Sequence, residues 1–555
     1  MGAAGRPPDG PRADDRLDRA QPAALPDRAV RDLEQPVFEV ESAPRAAPGA
    51  PEQAAEIPTE PGAAGVGRDF AVTALGQLGV AVGGLVLYRL LARDQGASAL
   101  GSYALVKQVT LFLFPATMLG LQIGVPRYVA LDRDQEEASE RYLLAGMSVT
   151  ALAIVVIGTV LLISPHTTAD VFFGNRDRAS LVFPLVATLA ATVVFEAVYG
   201  YYRGRSEFKL ASAARVWGVA ALPVVLVLAA PHEPIGHLIT WMAVGLVATC
   251  AVIAARPLAA AFAAISVEKT ITAIRTLLDY GRRRIPGEYA SVLLMALPAV
   301  IASHAASLNE VAYLTTGIYV LSVLTIAFQP IGLVFLPLLS RLCREDFQAA
   351  RRSVATLATC ALHLAVFTTP QLLLFADVAV RAWLGHRFDA AAPVIRLTVL
   401  PTAAYLFYLI LRSTLDAAAV KGYNSRNNVI ALASAAIAVT AFLGIGVGKP
   451  VESIAGAFAF GIAVLGTLTL ATVHSVYRLE RRSYALAASL ALGLVTAGIG
   501  VVVRLALVGS SSSTWTIMGV VALEVVLAVL YLVGLSRAGV AWPAEVGHRL
   551  RRRPA

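Results

Sequence analysis

Four basic side chains interrupt long apolar stretches of this 555-residue chain: Arg89, Lys107, Arg215 and Arg396. A guanidinium or ammonium in hydrocarbon is costly, so such a residue faces a partner or a water-filled cavity, or snorkels by bending its stem toward the membrane surface. The chemistry open to a cavity cation is to replace the hydration of an anion through charge-assisted hydrogen bonds. Lys107 and Arg215 lie deepest and are expected to line a cavity. Arg89 and Arg396 lie near the ends of their stretches, where snorkelling and a cavity role are both open. Carboxylates are fewer: Glu196 and Glu288 are expected near a basic interface and paired with neighbouring arginines, while Glu524 is the deepest and is expected to make no more than a helix contact.

The elements that position these groups follow from composition. Apolar residues make up 57% of the chain and charged residues 15%, against about half and about a quarter in soluble domains. A soluble globular fold is excluded. Apolar runs at 69–92, 103–126, 142–164, 179–202, 210–230, 235–255, 286–306, 311–339, 354–376, 391–411, 427–447, 452–474, 483–504 and 514–536 predict an all-α polytopic membrane protein with fourteen transmembrane helices. Connections expected to be cytoplasmic carry 22 Lys and Arg, the opposite ones eight, which by the positive-inside rule puts both termini in the cytoplasm of a multi-pass cell-membrane protein.

Residues 1–67 hold eleven of the 29 prolines and a net charge near −5, with no periodic apolar pattern. They are expected to be a disordered cytoplasmic tail. Helices 1–6 fall in 68–255, a basic interlobe linker in 256–285, helices 7–12 in 286–476, helices 13–14 in 477–538 and a basic cytoplasmic tail in 539–555. A repeat supports two lobes: Leu100-Gly101-Ser102-Tyr103 precedes Pro126 by 23 residues, and Val311-Ala312-Tyr313 precedes Pro337 by 24. Tyr199, Tyr201 and Tyr202 beside Arg203 are expected to form an interfacial aromatic belt.

No nucleotide-binding loop, metalloprotease motif or nucleophile elbow occurs, so no enzyme is expected. The three cysteines have no metal-ligand or disulfide spacing, and no metal or cofactor is predicted. Basic residues sit at the ends of apolar runs rather than on a solvated aromatic face, which argues against nucleic acid. No secretory leader or myristoylation signal is expected.

The pattern resembles the polysaccharide-transporter branch of the multidrug/oligosaccharidyl-lipid/polysaccharide flippase superfamily, which includes O-antigen unit and lipid II flippases. The segments that carry the resemblance are Ala99–Leu105, Leu119-Gly120-Leu121 running to Pro126–Ala130, Tyr199–Gly204, Asn309–Tyr313 and Pro337–Ser340. It implies two six-helix lobes around a central cavity plus two C-terminal helices. It also implies translocation of a polyprenyl-diphosphate-linked oligosaccharide by alternating access for cell-surface polysaccharide or lipopolysaccharide biosynthesis. Membrane lipids are the implied surroundings, with a glycan polymerase or envelope-synthesis proteins as partners. Lys107, Arg215, Arg89 and Arg396 are the candidate substrate-binding residues. The family pattern often carries an acidic residue in helix 7, where this chain has Pro298. Two alternatives stand beside this reading: a cation-coupled multidrug exporter of the same superfamily, and a non-transporting membrane scaffold for envelope synthesis.

Overall fold

Backbone amides in hydrocarbon have no water to bond, so apolar runs must close their hydrogen bonds internally. In the computed structural model the chain does this throughout as helices. The structure describes residues 63–132, 135–282, 285–418, 422–446, 448–479, 486–507 and 514–537. Most of the expected N-terminal tail and all of the C-terminal tail lie outside these residues. Among the described residues thirteen helices are long and apolar enough to cross a membrane, and a pair bent by 49°, His386–Val399 with Thr402–Ala418, makes a fourteenth. The fourteen spans follow the expected runs in order.

The first lobe comprises α1 (Ala63–Asp94), α2 (Gly96–Met118), α3 (Leu121–Leu131), α4 (Glu136–Ile163), α5 (Pro165–Phe173), α6 (Val182–Gly204), α7 (Phe208–Arg215), α8 (Leu222–Ala229) and α9 (Ile235–Ala263). After α10 (Val267–Arg282), the second comprises α11 (Ile285–Ala305), α12 (Leu308–Glu345), α13 (Phe347–Leu384), α14 (Ala392–Val399), α15 (Thr402–Ala418), α16 (Tyr423–Ile445) and α17 (Pro450–Tyr477). Two further spans, α18 (Leu486–Leu507) and α19 (Thr514–Arg537), follow. The lobes meet where α1 and α2 pack on α11, α12 and α13. The Arg-rich connections define one end of the bundle, here the basic end, and the opposite connections the far end.

Local chemistry sets the breaks. The run expected as one helix at 103–126 is split: Leu119 and Gly120 both take left-handed backbone (φ 49° and 83°) and separate α2 from α3. A side chain on Gly120 would meet the Cα of Gly281 at 2.5 Å, so the end of α10 docks onto the break because both residues lack one. The interlobe segment is therefore largely helical. Ala273 and Leu277 of α10 are buried, and its exposed Lys269 and Arg275 keep the other face polar. The helix lies against α3 and α4. At the far end, Ser307 and Glu310 form a capping box that starts α12.

Tyr199, Tyr201 and Tyr202 are 6%, 3% and 7% exposed, so they are core residues and not the expected interfacial belt. The reason is the close approach of α6 to α3: a side chain on Gly200 would come within 3.1 Å of Pro126, and one on Gly204 within 2.7 Å of Val129. The tyrosines that follow these glycines in space are drawn into the lobe.

Candidate functional site

Within the first lobe lies a cavity of about 550 Å³, inside the range of about 300–1,000 Å³ typical of ligand sites. Helices α1, α2, α6, α8 and α9 supply most of its wall, and α12 of the second lobe closes it with Tyr319, Ser322 and Ile326. Lys107 and Arg215 both line it. Lys107 stands about 16 Å along α2 from its first residue at the usual helical rise, and its ammonium lies 5.4 Å from the centroid of the Tyr319 ring. That contact crosses the boundary between lobes.

Arg215 ends α7 where the backbone changes to a π-helical turn, Val216–Ala221, ahead of Pro223. Proline has no N–H and its ring crowds the carbonyl four residues earlier, so the regular ladder cannot continue there. The Arg215 guanidinium lies 4.5 Å over the Tyr199 ring, and its Nη2 donates to Oε1 of Glu196 at 3.0 Å. Glu196 is thus paired, as expected, but on the cavity wall. Polar atoms without a hydrogen-bond partner among the described residues also sit here: Oε1 of Gln108 and both amide atoms of Gln122. The helix break at Leu119-Gly120 brings Gln122 onto this wall.

Toward the far end the lobes are clasped by aromatic rings. Tyr88 stacks on Tyr319 at 4.5 Å and lies 6.0 Å from Trp383, while Tyr103 meets Tyr88 edge-on at 6.1 Å. The Trp383 indole N–H donates to the Leu85 carbonyl at 2.8 Å, and the Tyr319 hydroxyl donates to the Ala81 carbonyl at 3.2 Å. Both bonds join α1 to the second lobe.

The other two predicted cations lie away from the cavity wall. Arg89 donates from Nη1 to the Trp383 carbonyl at 2.7 Å, covering a carbonyl that the end of α13 leaves unsatisfied. Arg396 donates to Asp377 at 3.1 Å and to the Leu373 carbonyl at 3.2 Å. Arg504 of α18 binds the other oxygen of Asp377, so one carboxylate holds two guanidiniums and ties α18 to the second lobe. Neither Asp377 nor the nearness of Arg396 and Arg504 could be read from sequence separation. Removing that charge as Asp377→Asn leaves two partly exposed cations facing each other, and is expected to destabilise the detergent-solubilised protein by about 1–2 kcal/mol. A melting temperature equal to wild type would show that the cluster contributes nothing.

A repeat stronger than the expected one emerges from the site. Tyr199, Arg203 and Arg215 recur as Tyr408, Arg412 and Arg426, at offsets of 209, 209 and 211 residues. Arg203 lies over Tyr199 at 5.5 Å and Arg412 over Tyr408 at 5.9 Å. Gly174 and Gly385, 211 residues apart, each precede a short 3₁₀ turn in left-handed backbone. The shared offset was the sequence signal available for this pairing.

No protein-family model and no curated protein sequence matches the chain. Solved structures do. The fold is similar to that of the lipid II flippase MurJ in an inward closed conformation, with a TM-score of 0.65 and 11% identity over 85% of this chain and 100% of that one. It is also similar to an inward-facing multidrug resistance MATE family transporter of the MOP superfamily, with a TM-score of 0.61 and 13% identity over 74% of this chain and 98% of that one. The chain has the MOP fold. An outward-facing structure from the same superfamily gives a TM-score of 0.50 at 14% identity, over 75% of this chain and 96% of that one.

Proposed function

We propose that this protein is a flippase that carries a polyprenyl-diphosphate-linked oligosaccharide across the cell membrane by alternating access, with both termini and the basic end in the cytoplasm. The observation that carries the reading is the cavity itself, which Lys107 and Arg215 line together with the amide side chains of Gln108 and Gln122. Lys107 has no carboxylate partner among the described residues. Such a wall suits a diphosphate with the first hydroxyls of a sugar, since cations replace phosphate hydration and amides bond hydroxyls. A volume of about 550 Å³ holds a head group and not an entire lipid-linked glycan, so the prenyl chain would remain in the bilayer. The similarity to a structure named as a lipid II flippase supports this reading. The glycan polymerase or envelope-synthesis partners implied by the resemblance belong to the same proposal.

A multidrug exporter is favoured by one observation, the Glu196 carboxylate on the cavity wall, because an antiporter needs a group that exchanges H⁺ or Na⁺ with its cargo. That carboxylate is already engaged by Arg215. Reconstitution separates the two readings. Proteoliposomes should move a fluorescent prenyl-diphosphate oligosaccharide between leaflets and should not accumulate cationic dyes under a proton or sodium gradient. Dye transport without lipid translocation would replace the flippase reading with export.

A further inference from the structure

Glu196 is the sole carboxylate lining the cavity among the described residues, and its contact with Arg215 is open. About 25% of the Arg215 side chain and 21% of Glu196 remain accessible, so an anion entering the cavity can reach the guanidinium without first unpacking the lobe. The bond between them is single, Nη2 to Oε1, whereas a diphosphate offers the fork of a guanidinium two oxygens at once.

The second lobe offers a comparison, an arginine 211 residues after Arg215 that is held without an acid. Arg426, the counterpart of Arg215, lies over the Tyr423 ring at 5.4 Å. It donates to the neutral acceptors Asn427 Oδ1 at 3.2 Å and Thr472 Oγ1 at 3.1 Å. With the 209-residue offset of Tyr199 and Tyr408, the position matching Glu196 is Tyr405. One lobe thus holds its arginine with an aromatic ring and neutral oxygens, and the cavity-bearing lobe adds a carboxylate.

We infer that Glu196 is a resident stand-in for the anionic part of the substrate, holding Arg215 while the cavity is empty and yielding it when a diphosphate enters. This rests on the flippase reading above. An unpaired guanidinium in a low-dielectric cavity is costly, so the carboxylate stabilises the empty protein. By competing for Arg215 it also weakens the bound state, which lets the head group leave. A carrier that bound its cargo without such a competitor would release it slowly, because affinity differences fall mainly on the off-rate.

The test uses the purified full chain and farnesyl diphosphate as the probe, with calorimetric binding and the ligand-induced melting shift read together. Glu196→Gln should bind about three- to tenfold tighter than wild type, the range expected for removing one half-buried competitor. Its melting shift on adding the probe should exceed that of wild type, and Glu196→Asp, which restores a carboxylate, should return toward wild-type affinity. In an Arg215→Gln background the Glu196→Gln change should have no further effect, because the two act through one bond. Melting of each variant without the probe separates a folding defect from a change in affinity, and Glu196→Ala supplies a second variant without the carboxylate that should also bind more tightly than wild type. Unchanged or weaker binding by Glu196→Gln, while Arg215→Gln and Lys107→Gln both weaken it, would overturn the stand-in role and leave the cavity assignment intact. If the wild-type chain fails to bind the probe, or neither cation variant alters binding, the flippase reading itself fails.

Discussion

Changing Lys107 to Gln is expected to lower the affinity of the full chain for a diphosphate lipid by about ten- to a hundredfold, the worth of one charge-assisted hydrogen bond of roughly 1.5–3 kcal/mol. Lys107 lines the cavity with its ammonium against the Tyr319 ring and no carboxylate partner among the described residues. Folding should suffer little, since removing a charge from the membrane interior relieves a desolvation cost. Arg215→Gln should lose affinity as well, but less, because the wild-type guanidinium is shared with Glu196. It should also lower the melting temperature, since Glu196 is then left without its cation. Translocation of a labelled lipid-linked oligosaccharide in proteoliposomes and melting of the purified variants supply the two readouts. Normal translocation by both variants would show that neither cation touches the cargo, whatever the cavity looks like.

The second large effect is expected at the clasp. Trp383→Ala removes a hydrogen bond to the Leu85 carbonyl and a ring contact with Tyr88 at 6.0 Å, both between lobes, along with a contact at 6.2 Å to Tyr319 of its own lobe. At about 1 kcal/mol for the bond and about 0.5–1.5 kcal/mol for the one aromatic pair that crosses the boundary, the closed far end loses roughly 1.5–2.5 kcal/mol relative to an open one. A bias of that size moves a two-state equilibrium by about ten- to seventyfold. Spin labels at His232 and Arg387, both exposed at the far end, should report a new population at longer separation in the variant. Wild-type distances together with a lowered melting temperature would mean that the tryptophan only packs. Lys107 leans on the same Tyr319 ring that stacks on Tyr88.

The amino-acid sequence by itself determined the membrane class, the fourteen spans and the depth of Lys107 and Arg215. Each of these depends on local hydrophobicity, which a bilayer reads one segment at a time. The tertiary structure alone decided which intramembrane charges face space and which face partners. For Arg89 and Arg396 snorkelling and a cavity were both open along the chain, and they do neither: one caps α13 and the other shares Asp377 with Arg504. Those partners lie 294, 19 and 127 residues away respectively, or differ in helix. The aromatic belt failed for a related reason. Tyr199, Tyr201 and Tyr202 have the composition of an interface, but Gly200 and Gly204 let α3 approach so closely that the rings are enclosed. The split of the second span was present in Leu119-Gly120, although only the docking of Gly281 showed why glycine is needed there. Hydropathy fixes how far a residue lies from water along its own helix, while burial, pairing and cavity access depend on which other helix arrives beside it. That second quantity is set by packing between segments distant in sequence.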